Sequence, residues 1–355
     1  MFEVCAEIRY QQLEPIGVGE GMNSTVFRAF DPYLQREIAV KEISKDRLGN
    51  DFDSYCNEAR MMFESVDPNI VGIEYVCETP DYISLALPYF EKGSLKTRIK
   101  DGPLELREFM RISQGVLAGV GRIHSKRLLH LDLKPANVFF DNAGVPLVGD
   151  FGQSRRLSKH GTVTFPDSYK WAMPPEVWQT HVATLYSDIY QLGSLFYRCV
   201  NGDSVFRLQK SAIPTNDVLQ RQILKGRFPD TRFFLPHVPK RIRTIIRKAL
   251  RVNPAERYRS ASELGAILGR VPLPLNWVTE ALGQPGAYSW RAARPGIPDL
   301  EVELTQTEPS EWQTSVWTSR AGERRAKGLA DYWRTKLSYQ EACDHLTEVF
   351  ADLSR

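Results

Sequence analysis

An acid, a lysine and an asparagine stand on one short segment of this chain, His130-Leu131-Asp132-Leu133-Lys134-Pro135-Ala136-Asn137. A second acid follows just ahead of a glycine, in Gly149-Asp150-Phe151-Gly152. This set suits transfer of a phosphoryl group from a magnesium nucleotide to a hydroxyl. Such transfer needs an acid to orient the attacking oxygen, a cation for the charge in transit, and hard oxygen donors for a metal. Upstream, Gly19, Gly21 and Ser24 sit between two strand-like stretches. Glycines there let the backbone fold over a nucleotide without Cβ collisions, so that amides approach the phosphates. Lys41 follows in a strand-like run, where its ammonium can meet phosphate oxygens as a point charge. Glu58 lies one helical turn from Tyr55 and Met62, so it can point inward and orient Lys41.

The elements that must hold these groups fall into two halves. Residues 8–90 read as strands with one helix. Val26 to Phe30 and Glu37 to Ile43 are strand-like and flank an Asp31-Pro32 turn. Phe52, Tyr55, Ala59, Met62 and Phe63 recur at helical spacing, and Tyr82 to Ala86 is a further strand. From about residue 104 the pattern turns helical. Phe109, Ile112, Val116, Val120 and Ile123 mark a long buried helix, and Leu192, Leu195, Phe196 and Cys199 mark another that starts near Asp188. The pattern ends near Arg270. Residues 271–300, rich in Pro and Gly, read as a linker or extended wrap. Beyond it, strands are expected at Leu300–Leu304 and from Trp312 to Trp317. A helix is expected from Gly322-Glu323 through Trp333. A last helix opens on the capping box Ser338-Tyr339-Gln340-Glu341.

Composition bounds the remaining possibilities. With 355 residues and 42% apolar content, one large bilobal domain or two domains with a full core are expected. No signal peptide and no run long enough to span a membrane is visible. Cys5, Cys56, Cys77, Cys199 and Cys343 are scattered and form no C-x-x-C pair, which reads as free thiols. Together these suggest a cytoplasmic protein. Between Arg207 and Arg259, Lys and Arg far outnumber Asp217, Asp230 and Glu256. Arg241, Arg243, Arg247, Lys248 and Arg251 punctuate one helix there, as a solvated face or as a docking site for an acidic partner. Acids outnumber bases beyond residue 285, which disfavours nucleic-acid binding.

Taken in order, Gly19-Glu20-Gly21 with Ser24 and Val26, Ala39-Val40-Lys41, Glu58, the 130–137 segment, Asp150-Phe151-Gly152, Pro175-Glu176, Asp188 and Arg257 form one series. On these residues the chain resembles the eukaryotic-type (Hanks-type) Ser/Thr protein kinase family over roughly residues 8–268. The resemblance implies an α+β, bilobal protein kinase fold over residues 1–270, with a β-rich lobe at about 8–90 and a helical lobe at about 91–270. A linker at 271–300 and a small α+β module at 301–355 complete the expected layout. It implies ATP and Mg2+ as cofactors. Gly19, Gly21, Ser24, Val26, Ala39, Lys41, Leu87 and Tyr89 would surround the nucleotide, with a hinge at Leu87-Pro88-Tyr89-Phe90. Asn137 and Asp150 would hold the metal. Asp132 would be the base, Lys134 would balance the transferring charge and mark Ser/Thr specificity, and Lys41 would pair with Glu58. His130 and Phe151 would pack, Glu176 would pair with Arg257, and Asp188 would brace the catalytic loop.

Two departures from the family pattern bear on regulation and substrate. Leu131 stands where the family has an Arg that meets a phosphate on the activation loop, so activity independent of that contact is expected. Ser154, Ser158, Thr162, Thr164 and Ser168 leave other routes for phosphorylation. The run Ser168 to Met173 lacks the usual Gly-Thr-x-x-Tyr, with Tyr169 where its Thr would stand. The leading expectation is an ATP- and Mg-dependent Ser/Thr protein kinase acting on a protein substrate. The alternatives are a pseudokinase scaffold, for which only Leu131 and the unusual docking segment speak, and a small-molecule kinase, against which stand Lys134-Pro135, Pro175-Glu176 and Arg257. The C-terminal part reads equally as a module for a regulator or as a stabilising extension.

Overall fold

Alternating burial along two strands sets the geometry of the first half. In β2 (Ser24–Asp31) Phe27, Ala29 and Asp31 are buried, and in β3 (Arg36–Ser44) Ile38 and Val40 are buried on the same side, while Ile43 is buried on the other. The period of two turns Val26, Ala39 and Lys41 to that other face as well. The computed structural model describes residues 8–17, 24–47, 59–166, 170–326 and 328–354. With β1 (Gln11–Pro15), β4 (Tyr75–Glu78) and β5 (Tyr82–Pro88) the strands form an antiparallel sheet in the order β1-β2-β3-β5-β4. Register places Val26 opposite Lys41, Lys41 opposite Leu85, and Ala39 opposite Leu87. Residues 59–64 are helical, and Met61 and Met62 pack with Leu85 into the core of the following lobe.

The second half is helical. In α1 (Leu106–Ser125) Phe109, Ile112, Val116, Val120 and Ile123 are each 1% exposed or less, so the sequence stripe is the core stripe. Each such side chain contributes about 1.5–3 kcal/mol through burial. Gly119 is a close-approach position, since a Cβ there would lie 2.5 Å from the Asn69 carbonyl oxygen. α2 (Leu185–Asn201) begins at Thr184, whose side chain accepts from the Tyr186 N–H and forms a capping box with Ser187. α3 (Lys240–Ala249) buries Ile242, Ile245, Ile246 and Ala249. Its basic residues do not form one solvated face. The Arg243 guanidinium turns in, donating to the carbonyls of Leu235, Pro236 and Val238 and to Thr347 Oγ1.

The C-terminal region departs from the expected linker and helix. Residues 271–300 contain two strands, β6 (Trp277–Ala281) and β7 (Tyr288–Ala292), joined in one antiparallel sheet to β8 (Asp299–Glu308) and β9 (Glu311–Arg320). The prolines and glycines that suggested a linker sit largely in connections, as with Gly286 and Gly296 at positive φ. Trp277, Trp290 and Ala292 face the same core as Leu300, Val302 and Leu304, and that shared apolar face makes them strands. The helix expected at 322–333 does not form among the described residues. In its place are β10 (Glu323–Arg325), a single 3-10 turn at Ala330–Tyr332, and β11 (Arg334–Leu337), with both strands paired to β9. Ala321 and Gly322, both at positive φ, turn the chain back along β9, so pairing to an open edge overrides helical spacing. The last helix, α4 (Tyr339–Leu353), has the expected Ser338–Glu341 capping box and buries Ala342, Leu346, Val349 and Phe350 against the sheet.

This module is keyed into the helical lobe. Buried His237 accepts from the Trp290 indole N–H at its Nδ1 (3.0 Å) and stacks edge-on with Phe350. Burial, with Arg243 nearby, pushes the His237 imidazole down to about 3, which keeps it a neutral acceptor. Asn276 donates to Glu105 Oε2 and accepts from the Arg107 N–H at the start of α1. Cys77, Cys199 and Cys343 are free thiols. No described helix is long and apolar enough to cross a membrane.

Candidate active site

The segment from His130 to Asn137 is held from beneath by α2. Buried Asp188 accepts the N–H groups of His130 and Leu131, both at 2.9 Å, and meets His124 Nε2 at 2.7 Å. One turn on, Gln191 accepts from the Leu133 N–H and donates to the Leu131 carbonyl. Burial alone would raise the Asp188 carboxyl; the bonds from His124 and His130 outweigh it and hold it below the usual range. This grip fixes Leu131 at φ 65°, a left-handed conformation costing a branched side chain about 1–3 kcal/mol. Asp188 was expected as the brace. Gln191 was not, although its place three residues on, on the same helix face, was a readable signal.

With the loop fixed, three of its side chains converge. Asp132 Oδ2 accepts from Lys134 Nζ at 2.7 Å and from Asn137 Nδ2 at 2.9 Å. Asn137 Nδ2 also reaches the Asp132 carbonyl. Burial raises the Asp132 carboxyl above the ordinary range, and Lys134 draws it only part of the way back. Across the cleft, Lys41 Nζ lies 2.9 Å from Asp150 Oδ1. Lys41 holds that carboxylate down at about 2 against the opposing effect of burial. Just before Asp150, Gly149 packs too closely for a side chain, because a Cβ there would stand 2.7 Å from Val71 Cγ2. His130 locks the same strand end through Gly149 O (3.0 Å) and packs on Phe151 with ring centres 5.4 Å apart. Ser154, not anticipated, adds a bond to the His130 carbonyl.

Asn137 commits its amide nitrogen to Asp132, which leaves its side-chain oxygen for a cation, and Asp150 keeps 39% of its side chain exposed. Two hard oxygen donors fit a magnesium ion that takes its other ligands from phosphate and water. Among the described residues no group of three or more His, Cys, Asp or Glu could hold a metal unaided.

The remaining expected residues divide. Ser24 and Val26 on β2 and Ala39 on β3 are half-buried, and Val26 and Ala39 share the Lys41 face. Leu87, next to last in β5, lies opposite Ala39, and Tyr89 lies under the Arg28 guanidinium, 5.1 Å from it. Gly19, Gly21, Glu58 and Tyr169 lie outside the described residues. Glu176 and Arg257 form a two-pronged pair (2.9 and 2.7 Å), with Arg257 wholly buried. Leu131 carries no charge to this region. It is buried in an apolar cluster with Leu129, Phe165, Met173, Val177 and Ala183.

The family model described as protein kinase domain matches residues 10–265. The serine/threonine-protein kinase PrkC of Bacillus subtilis is 32% identical over 264 residues, covering 73% of this chain and 40% of that protein. The serine/threonine-protein kinase PknK of Mycobacterium tuberculosis is 27% identical over 359 residues, 90% of this chain and 32% of that one. The DNA damage-responsive serine/threonine-protein kinase RqkA of Deinococcus radiodurans is 28% identical over 301 residues, 81% and 42% respectively. The chain thus spans well under half the length of these relatives.

Proposed function

The chain belongs to the protein kinase domain family, and from that premise we propose that it transfers the γ-phosphoryl group of Mg-ATP to Ser or Thr hydroxyls of a protein substrate. The observation that carries this reading is the convergence of Lys134 and Asn137 on one oxygen of Asp132. That leaves Asp132 Oδ1 to accept the hydrogen bond of an incoming hydroxyl and orient its oxygen toward the phosphorus. Lys134, bonded to the same carboxylate, is placed to offset charge on the moving phosphoryl group. Lys41 supplies a fixed cation for the phosphates of the nucleotide, and its pairing with Asp150 keeps that carboxylate ionised. Magnesium, when held by Asn137 and Asp150, neutralises charge on the phosphates. Retention of every one of these groups argues against a scaffold without catalysis.

We further propose that the segment following Asp150 is held by packing and not by a phosphate–arginine contact. Supporting this, Leu131 meets Phe165, Met173 and Val177 where a cation would be needed for that contact. Transfer of labelled γ-phosphate from Mg-ATP, with phosphoamino-acid analysis, tests the main reading. Label on Ser or Thr that vanishes in Asp132→Ala supports it. Phosphotyrosine, or no transfer despite ATP binding, overturns it.

A further inference from the structure

A cavity of about 630 Å³ opens between the helical lobe and the C-terminal sheet, and none of the active-site groups lines it. Its walls are apolar: Leu106 at the start of α1, Val271 and Leu273 from the connecting strap, and Trp277 and Phe350 from the module. The volume is that of a small-molecule site. Two exposed cations, Lys240 and Arg241, stand at its edge on the first turn of α3. Among the described residues no aspartate or glutamate lines it.

This placement of charge runs against helix electrostatics. A first turn carries the positive end of the helix dipole, where acids are stabilising and cations are not. α3 has no acid in its first turn, and Pro239 supplies no side-chain cap. The first-turn N–H groups, which have no intrahelical partner, add to the same positive field. Trp277 is 1% exposed, yet its indole N–H has no hydrogen-bond partner among the described residues. A buried donor without an acceptor is costly, and such atoms are uncommon in folded proteins.

We propose that this cavity binds an amphipathic anion, an acyl chain ending in a single carboxylate. The apolar walls suit the chain, and Lys240, Arg241 and the open helix end suit the oxyanion. A carboxylate also brings acceptor oxygens to a cavity whose charged lining groups, Lys240 and Arg241, are donors. A peptide is a poorer fit, because walls of this kind would leave its backbone N–H and C=O groups unsatisfied. The inference does not depend on the phosphoryl-transfer reading, and its test measures binding alone.

The probe is dodecanoate, titrated into the full chain by calorimetry and native mass spectrometry, with acetate and dodecyltrimethylammonium as controls. Dodecanoate is expected to bind one to one, with both controls weaker by about tenfold or more. The double variant Lys240→Glu, Arg241→Glu changes only exposed side chains and should weaken dodecanoate by about tenfold. Ala351→Trp places an indole in the cavity wall and should abolish binding. The proposal is overturned if dodecanoate fails to bind or binds no tighter than the cationic amphiphile. It is equally overturned if the charge-reversed protein, shown folded by its thermal transition, binds dodecanoate like the parent.

Discussion

Lys41 Nζ and Asp150 Oδ1 stand 2.9 Å apart although 109 positions separate them in the chain. The strand lobe and the helical lobe therefore meet through a charge-assisted bond at the centre of the site. Lys41→Met is expected to lower kcat/KM by about 100-fold or more, the scale seen when one donor to transition-state charge is removed. The Asp150 carboxyl should also rise from about 2 toward the ordinary range. An unchanged kcat/KM for labelled phosphate transfer would show that Lys41 is not in the machinery.

The raised Asp132 carboxyl gives a pH signature. A base works deprotonated, so the rate falls as pH drops through its folded-state value, and the acid limb should lie above that of an ordinary aspartate. Lys134 is the main influence drawing Asp132 down. Lys134→Met should therefore move the acid limb of kcat/KM to still higher pH, besides slowing the reaction. A limb that stays in place or moves down would separate Lys134 from the ionisation of Asp132.

Leu131→Arg tests whether position 131 can be returned to the family's residue. The side chain there is fully buried among Leu129, Phe165, Met173 and Val177. A guanidinium placed in that cluster has no partner carboxylate among its apolar neighbours. The variant should lose about 3–5 kcal/mol by denaturant titration and gain no dependence on phosphorylation. A stable variant that requires a phosphorylated loop for activity would contradict the packing account.

Arg257 is wholly buried and gives both Nη1 and Nη2 to Glu176, with its other donors on the carbonyls of Tyr186, Arg251 and Val252. Arg257→Ala should cost about 3–5 kcal/mol, because it leaves the Glu176 carboxylate without its cation. Arg257→Lys should fail to restore it, since a compact ammonium cannot reproduce a five-donor fork. Thermal unfolding of the three proteins decides this.

Deleting residues 271–355 should destabilise the helical lobe and not merely shorten the chain. It removes the Trp290 donor to buried His237, the Asn276 contacts at the start of α1, and the Thr347 acceptor of Arg243. Trp290→Phe isolates one of these and should cost about 1–3 kcal/mol through the unpaired imidazole nitrogen. A truncated protein with an unchanged Tm would make the region a tethered appendage.

The half that matches the protein kinase domain was legible because its residues are ordered by chemistry. Asp132, Lys134, Asn137 and Asp150 carry a spacing that no packing pattern imitates, and the α1 stripe repeats at a clean helical period. The C-terminal region was misread for the opposite reason. Pro285, Gly286, Pro295 and Gly296 look alike in a linker and in the turns of a meander, and only tertiary pairing separates the two. Leu329, Tyr332 and Trp333 matched a helical period, yet the edge of β9 offered hydrogen bonds to this stretch. The inward turn of Arg243 was equally hidden, since its acceptors, including Thr347, come from elsewhere in the chain.

The long helix α1 joins two places that the sequence keeps far apart. Its first residue, Leu106, lies in the wall of the interface cavity, and the next, Arg107, is held through its N–H by Asn276. Its last turn presents His124 to Asp188, the acid that grips the backbone of His130 and Leu131. Twenty residues at 1.5 Å each make a lever of about 30 Å. One packed helix thus touches both the seat of the C-terminal sheet and the acid that grips the backbone leading into Asp132.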